Sequence, residues 1–335
     1  MSVAASSSPW IERQLKQLLA QRGHAWLLHG PGGQGQYVLA LELARAWLCE
    51  EGKSDGACGQ CPSCHAVDVA THADLCVLMP ETQLLEMGWP LGEKAQTEID
   101  DKKRKPSKEI RVDAMRAAVE FTQRSNARGK GKVVLIFPAE SMNAIAANAL
   151  LKTLEEPSGD VKFVLATESS HQLLATIRSR CISHAMEWPE DQEALQWLDA
   201  QGLEPDFLRS AYFASGGRPY QAVAMAKLGW GTEQWSSFPQ WMAHGRADAV
   251  KDLSIPEIVD AQQKLCHDLW TVQVGTKPRY FLGDSLAGIR PVASQLAHWS
   301  QSLLHQRRTM DHPFNEGLMR EMLVGQAKSV LNSAS

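Results

Sequence analysis

One turn of glycines constrains this chain more than any other feature. Residues 25 to 29 (Ala-Trp-Leu-Leu-His) read as a buried strand, and Gly30-Pro31-Gly32-Gly33-Gln34-Gly35 follows at once. A G-x-x-x-x-G frame between a strand and a helix lets backbone N–H groups face a phosphate at the helix N-terminus. Residues 36 to 49 supply that helix, with Val38, Leu39, Leu41, Leu43 and Leu48 as its apolar stripe. The loop lacks its chemistry, however. Gln36 stands where the lysine that meets the β/γ-phosphates belongs. Tyr37 stands where a small hydroxyl should hold Mg²⁺. The frame at Gly30, Gly32 and Gly35 is therefore degenerate, and no productive ATP binding is expected.

Further apolar runs follow at Leu75–Leu78, Val133–Phe137 and Phe163–Ala166. Near-continuous apolar strands separated by helical patterns imply a parallel sheet covered on both faces. The helix between the last two runs spans 144 to 156. Asn143 caps it, Leu150, Leu151 and Leu154 face the core, and Pro157 follows. Residues 82 to 108 break the pattern and carry Lys102-Lys103-Arg104-Lys105-Pro106. This stretch reads as an exposed loop insertion, solvated or in contact with nucleic acid. From Pro189 onward no strand signal persists. Short helices are expected over 190 to 228 and a helical bundle over 231 to 331. There Ser254 and Glu257 form a capping box with Pro256 inside it. Trp230, Trp235, Trp241, Trp270 and Trp299 read as core or subunit-interface residues. The fold class is α/β followed by all-α. The expected domains are 1–187 with a cysteine module at 49–64, then 188–230, then 231–335.

The chain has seven cysteines, four of them clustered as Cys49, Cys58, Cys61 and Cys64. Two C-x2-C steps share Cys61, so the thiolates converge, and Cys49 supplies a fourth from the end of the preceding helix. Four thiolates with no open position describe a structural tetrahedral zinc site. Free loop thiols and a redox dithiol are the alternatives. His65 reads as a bystander, and Cys76, Cys181 and Cys266 read as buried. A net charge of −4 argues against a whole-surface nucleic-acid binder. Residues 1 to 9 do not read as a secretory signal, and no stretch approaches the roughly 18 apolar residues of a membrane span. A soluble, cytoplasmic protein is expected.

A motor ATPase ends one strand with an acidic pair. Here Phe137 and Pro138 fall in that place, and Glu140, off register, reads as a surface carboxylate. The intact strings lie elsewhere: Asn148-Ala-Leu-Leu-Lys-Thr-Leu-Glu-Glu-Pro157, Lys162–Thr167 and Thr176-Ile-Arg-Ser-Arg-Cys181. Together with His24–Gly30 and the cysteine cluster, they resemble the clamp-loader family of AAA+ proteins over residues 24 to 228.

The resemblance implies an AAA+, RecA-like first domain, a small helical lid and a C-terminal oligomerisation collar. It implies a non-hydrolysing scaffold subunit of the DNA polymerase III holoenzyme's clamp loader. The implied partners are the gamma/tau and delta subunits of a heteropentamer, with the sliding clamp and primed DNA met through the assembly and no membrane. Arg180 matches the family's arginine finger, which acts in trans on a neighbour's ATP. An intramolecular salt bridge is the other reading of Arg180. Thr167 matches the family's sensor. Two rival functions stay open: an autonomous motor subunit, and a zinc-dependent DNA-binding module.

Overall fold

The computed structural model describes residues 7–52, 54–202, 205–227, 232–281, 283–309 and 315–333. The chain divides into two compact units, Met1–Glu190 and Asp191–Ser335.

The first unit is built on five strands: β1 (Ala25–His29), β2 (Leu75–Leu78), β3 (Lys132–Ile136), β4 (Val161–Thr167) and β5 (Ile182–Ala185). Their order is β2-β3-β4-β1-β5, and every pairing is parallel. Its helices are α1 (Pro9–Leu19), α2 (Gln36–Leu48), α3 (Pro62–Asp68), α4 (Glu81–Met87), α5 (Glu93–Asp100), α6 (Val112–Gln123), α7 (Ala144–Glu155) and α8 (Ala175–Arg178).

Parallel strands demand covered faces, and strand alternation sorts the side chains between them. Ala25, Leu27, Val134, Ile136, Phe163 and Leu165 form one core with Met115 and Ala118 of α6, Leu150 and Leu154 of α7, and Ile177 of α8. The alternate residues Trp26, Leu28, Val133, Leu135 and Val164 are also buried, and α2 packs against β1, β3 and β4. Asn143 caps α7 as expected, its side chain accepting from the Ala146 N–H at 3.0 Å. Leu151 is only half-buried.

Three expectations change. The sheet has a fifth strand, β5, whose Ile182-Ser183-His184-Ala185 lacks an apolar run because it lies at the sheet edge beside β1. Residues 82–108 are not a plain loop but hold most of α4 and all of α5. The basic run there is partly neutralised from within. Arg104 reaches Glu81 at 2.5 Å and Glu98 at 2.7 Å, and Lys103 reaches Asp101 at 2.9 Å. Lys102 and Lys105 remain exposed. Finally, Cys76 and Cys181 are half-buried, whereas Cys266 is buried as expected.

The second unit holds α9 (Asp191–Asp199), α10 (Pro205–Ala214), α11 (Pro219–Lys227), α12 (Thr232–His244), α13 (Ile255–Gln273), α14 (Ala293–Thr309) and α15 (Glu316–Leu331). It contains no strand among the described residues. The capping box opens α13, where the Ser254 N–H donates to Glu257 at 2.7 Å. Trp235 and Trp299 are buried in one core with Phe238, Leu265 and Phe281, and Trp241 and Trp270 pack partly buried against it. Trp230 and the expected boundary at 230/231 lie outside the described residues.

Asp268 is fully buried on α13 and accepts from the backbone N–H groups of Arg279, Tyr280 and Phe281 at 2.9, 2.7 and 2.8 Å. It thereby pins the segment after α13 to the helix. Replacing it by alanine would strand these three donors. The expected cost is about 3 kcal/mol, read as a lower urea midpoint of the full chain, with asparagine costing less.

Candidate functional site

The glycine loop leaves β1 and enters α2 with Gly35 in the left-handed region at φ 98°, a conformation that glycine adopts without strain. The loop is closed by its own residues. The Gln36 amide is buried and donates to the carbonyls of Gly30 at 2.8 Å and Pro31 at 2.7 Å. Where a cation would reach outward to phosphate, a neutral amide is turned back onto the loop.

Two oxygens crowd the same loop. A methyl group at Gly30 would lie 2.4 Å from Gln34 Oε1, and one at Gly32 would lie 2.6 Å from the Glu168 carboxylate. Gln34 is buried, and its Oε1 has no hydrogen-bond partner. A carboxylate beside the loop opposes a polyphosphate by like-charge repulsion.

The Tyr37 side chain is taken up by the protein's own packing. It is buried beside Phe137, with ring centroids 5.5 Å apart, and its hydroxyl accepts from Trp89 Nε1 at 2.7 Å. Burial pushes its phenol up to about 12, against the smaller opposing effect of the Trp89 hydrogen bond. Trp89 belongs to the 82–108 insertion, so the residue that removes the metal hydroxyl also anchors that insertion.

Glu140 is not a free surface carboxylate. It accepts from Thr167 Oγ1 at 2.6 Å and from the Glu168 N–H at 3.0 Å. The Thr167 hydroxyl in turn accepts from the Ser169 N–H at 3.1 Å. Thr167 at the end of β4 is thus tied to the short turn after β3 by hydrogen bonds internal to the chain.

Arg180 follows α8 and is half-buried. Its Nε donates to Glu155 Oε1 at 2.7 Å, its Nη2 bonds the same oxygen, and its Nη1 donates to the Thr176 carbonyl at 2.7 Å. The intramolecular salt bridge therefore exists, with Glu155 at the end of α7 as the partner.

The four cysteines come together at the end of α2 and the start of α3. Their sulfurs all lie within 4.8 Å of one another. Cys49–Cys61 and Cys58–Cys64 are each separated by 3.9 Å. A metal bound at about 2.3 Å from each of four sulfurs would set them about 3.8 Å apart, so the cage fits a tetrahedral ion such as zinc.

Backbone N–H groups point at the sulfurs: Cys58 N to Cys49 at 3.3 Å, Cys61 N to Cys58 at 3.3 Å, and Cys64 N to Cys61 at 3.4 Å. Donors aimed at sulfur favour thiolate over thiol. Burial works against the charge at Cys49, Cys61 and Cys64. At Cys61 the N–H donors and neighbouring thiols outweigh burial and bring it down to about 6. At Cys49 burial wins and pushes the thiol up, and burial lifts Cys64 to about 12. Cys61 is the thiol most readily ionised of the three, and a divalent cation held in the cage would supply the charge that stabilises the other thiolates. His65 is exposed and outside the cluster.

The module is also wired to the sheet. Ser63 of α3 donates to Glu50 at 2.9 Å, and Arg128, in the loop before β3, donates to the same carboxylate oxygen at 2.6 Å.

Sequence reasoning missed Gln34, Trp89, Glu155 and Glu168 as members of these sites. Only Glu155 carried a signal, through its place in the string ending at Pro157. The others are brought in by tertiary packing.

A family model described as DNA polymerase III, delta subunit, matches residues 9–189. The chain is 40% identical over 219 residues to DNA polymerase III subunit delta' of Pseudomonas aeruginosa, covering 64% of this chain and 60% of that protein. It is 34% identical over 223 residues to DNA polymerase III subunit delta' of Escherichia coli K12, covering 65% of this chain and 60% of that protein. It is also 34% identical over 159 residues to DNA polymerase III subunit tau of Salmonella typhimurium, covering 48% of this chain and 21% of that protein. The chain thus spans about 60% of the length of the delta' relatives it matches. No described helix is long and apolar enough to cross a membrane.

Proposed function

The chain belongs to the DNA polymerase III delta-subunit family, and from that membership we propose that it is the delta' scaffold of a bacterial clamp loader. In this reading it does not hydrolyse ATP. It joins gamma/tau and delta subunits in the cytoplasm, and the assembly places the sliding clamp on primed DNA. Arg180 reaches a neighbour's ATP in trans. Residues 1–187 are the AAA+ body, 188–230 the lid and 231–335 the collar. Cys49, Cys58, Cys61 and Cys64 hold a structural zinc ion that shapes the loop between α2 and α3.

The observation that carries the non-hydrolysing reading is the closed loop. Gln36 is spent on the Gly30 and Pro31 carbonyls, Tyr37 is spent on Trp89, and the Glu168 carboxylate stands against Gly32. Phosphoryl transfer needs a cation on the phosphates and a bound Mg²⁺. None of these three groups supplies either. The intact Ser179-Arg180-Cys181 string supports the reading that the role toward a neighbour is kept while the chain's own site is lost.

The test uses the purified chain with and without partners. Alone, it is expected to show no Mg²⁺-ATP turnover above background. Mixed with gamma/tau and delta subunits, it is expected to co-purify at fixed stoichiometry. Turnover by the isolated chain would overturn the scaffold reading, and failure to assemble would overturn the clamp-loader reading.

A further inference from the structure

We propose that Glu155 is the positioning residue for Arg180, holding its guanidinium so that the outer edge is presented to the phosphate of a neighbouring subunit. The inference rests on the trans role of Arg180 proposed above and adds the group that aims it.

A guanidinium carries five N–H donors in a rigid fork. Glu155 Oε1 takes the Nε edge at 2.7 Å together with one donor of Nη2. The Thr176 carbonyl takes Nη1 at 2.7 Å. A remaining contact from Nη1 to Ser179 Oγ is long, at 3.5 Å. The donors near the stem are therefore used for holding. One N–H of Nη2 and one weakly engaged N–H of Nη1 are left on the terminal nitrogens. Those nitrogens form the part of the fork that meets a phosphoryl oxygen pair.

The mount is firm. Glu155 ends α7, which is anchored by buried Leu150 and Leu154, and Arg180 follows α8, which is anchored by buried Ile177. All three apolar residues lie in one core.

The position of the acid also argues for a purpose. A carboxylate in the last turn of a helix opposes the helix dipole, which favours cations there. Glu155 stands at that unfavourable end and is matched by Arg180 across 25 residues of sequence. An exposed ion pair adds little to stability, so aiming the guanidinium accounts for the arrangement better than folding energy does.

The experiment is single-turnover ATP hydrolysis by the reconstituted complex, carrying Arg180→Ala, Glu155→Ala, Glu155→Gln or the Glu155→Ala/Arg180→Ala pair. Glu155→Ala is expected to slow hydrolysis at the site facing Arg180 roughly tenfold, with the KM for ATP unchanged. Glu155→Gln, which keeps an acceptor oxygen, should fall between wild type and Glu155→Ala. The double variant should be no slower than Arg180→Ala, because the two residues act as one unit.

A wild-type rate for Glu155→Ala beside a slowed Arg180→Ala overturns the positioning role and leaves the finger standing. Wild-type rates for both overturn the finger itself. Losses that simply add in the double variant place the effect of Glu155 elsewhere and also overturn the proposal. If Glu155→Ala does not assemble, Glu155→Gln decides alone, and a wild-type rate for it overturns the proposal.

Discussion

Replacing Arg180 by alanine is expected, on the trans role proposed for it, to slow ATP hydrolysis at the neighbouring site it would face by on the order of 10³, the lower range for a cation supplied in trans to a transferring phosphoryl group. That factor corresponds to about 4 kcal/mol of transition-state stabilisation. The present partner of Arg180 does not compete on that scale. The ion pair with Glu155 leaves the arginine side chain 28% exposed and the glutamate 50% exposed. Pairs of that kind contribute about 1 kcal/mol or less. The guanidinium can therefore stay on Glu155 through its inner donors while its outer donors meet a phosphate.

The same magnitudes predict that the variant folds and assembles like wild type. Lysine at the position should restore only part of the rate, since a point charge lacks the fork. The decisive measurement is single-turnover hydrolysis in the assembled complex, with stoichiometry checked alongside. An unchanged rate would leave Arg180 as an ordinary surface ion pair.

Replacing Cys61 by serine, or stripping metal with a chelator, is expected to loosen residues 49–68 while the sheet stays folded. The reason is the makeup of the module. Its buried cluster is Cys49, Cys61 and Cys64, with Ala57 and Cys58 packed against it. Even with Val67 of α3 buried beside them, these small side chains bury too little apolar surface to order a loop of this length. A structural zinc site contributes about 10 kcal/mol in small metal-dependent domains, where binding is the folding energy. Cys61 has a second task besides the cage. Its sulfur accepts the Cys64 N–H at 3.4 Å, so it also caps α3.

The sheet should outlast the loss, because the core that β1, β3 and β4 form with α6 and α7 contains no residue of the module. Metal analysis of the purified chain should give one zinc per chain. Hydrogen exchange should show protection at 49–68 lost on chelation and retained at β1, β3 and β4. A chain free of bound metal with the same protection at 49–68 would rule out the metal as the organiser of the loop.

Much of the fold was legible because its signals are local. The apolar runs at 25–29, 133–137 and 163–166 mark the three central strands, where residues buried on both faces are apolar almost throughout, and the run at 75–78 is legible by the same composition although β2 lies at an edge and is mostly half-buried. Asn143 and Ser254 mark helix starts because a side-chain oxygen placed before a helix satisfies its orphan donors. The cysteine spacing announces a metal cage because two-residue steps bring sulfurs within reach of one ion. β5 was missed for the converse reason. At the sheet edge it needs no apolar run, and Ile182 and Ser183 are exposed. The two helices at 81–87 and 93–100 were hidden by polar composition, since α5 buries no residue at all.

The sequence by itself determined that a strand–loop–helix unit exists at residues 25–48, that its lysine and hydroxyl are absent, and that four thiols sit close enough for one ion. Tertiary structure decided what took over those places. It put Trp89 on Tyr37 across 52 residues, Glu140 on Thr167 across 27, and Glu155 on Arg180 across 25. A spacing in the chain reports only on neighbours within a turn of helix or a pair of strand residues. The pairing of distant side chains is set by the order β2-β3-β4-β1-β5, which places strand ends far apart in sequence side by side.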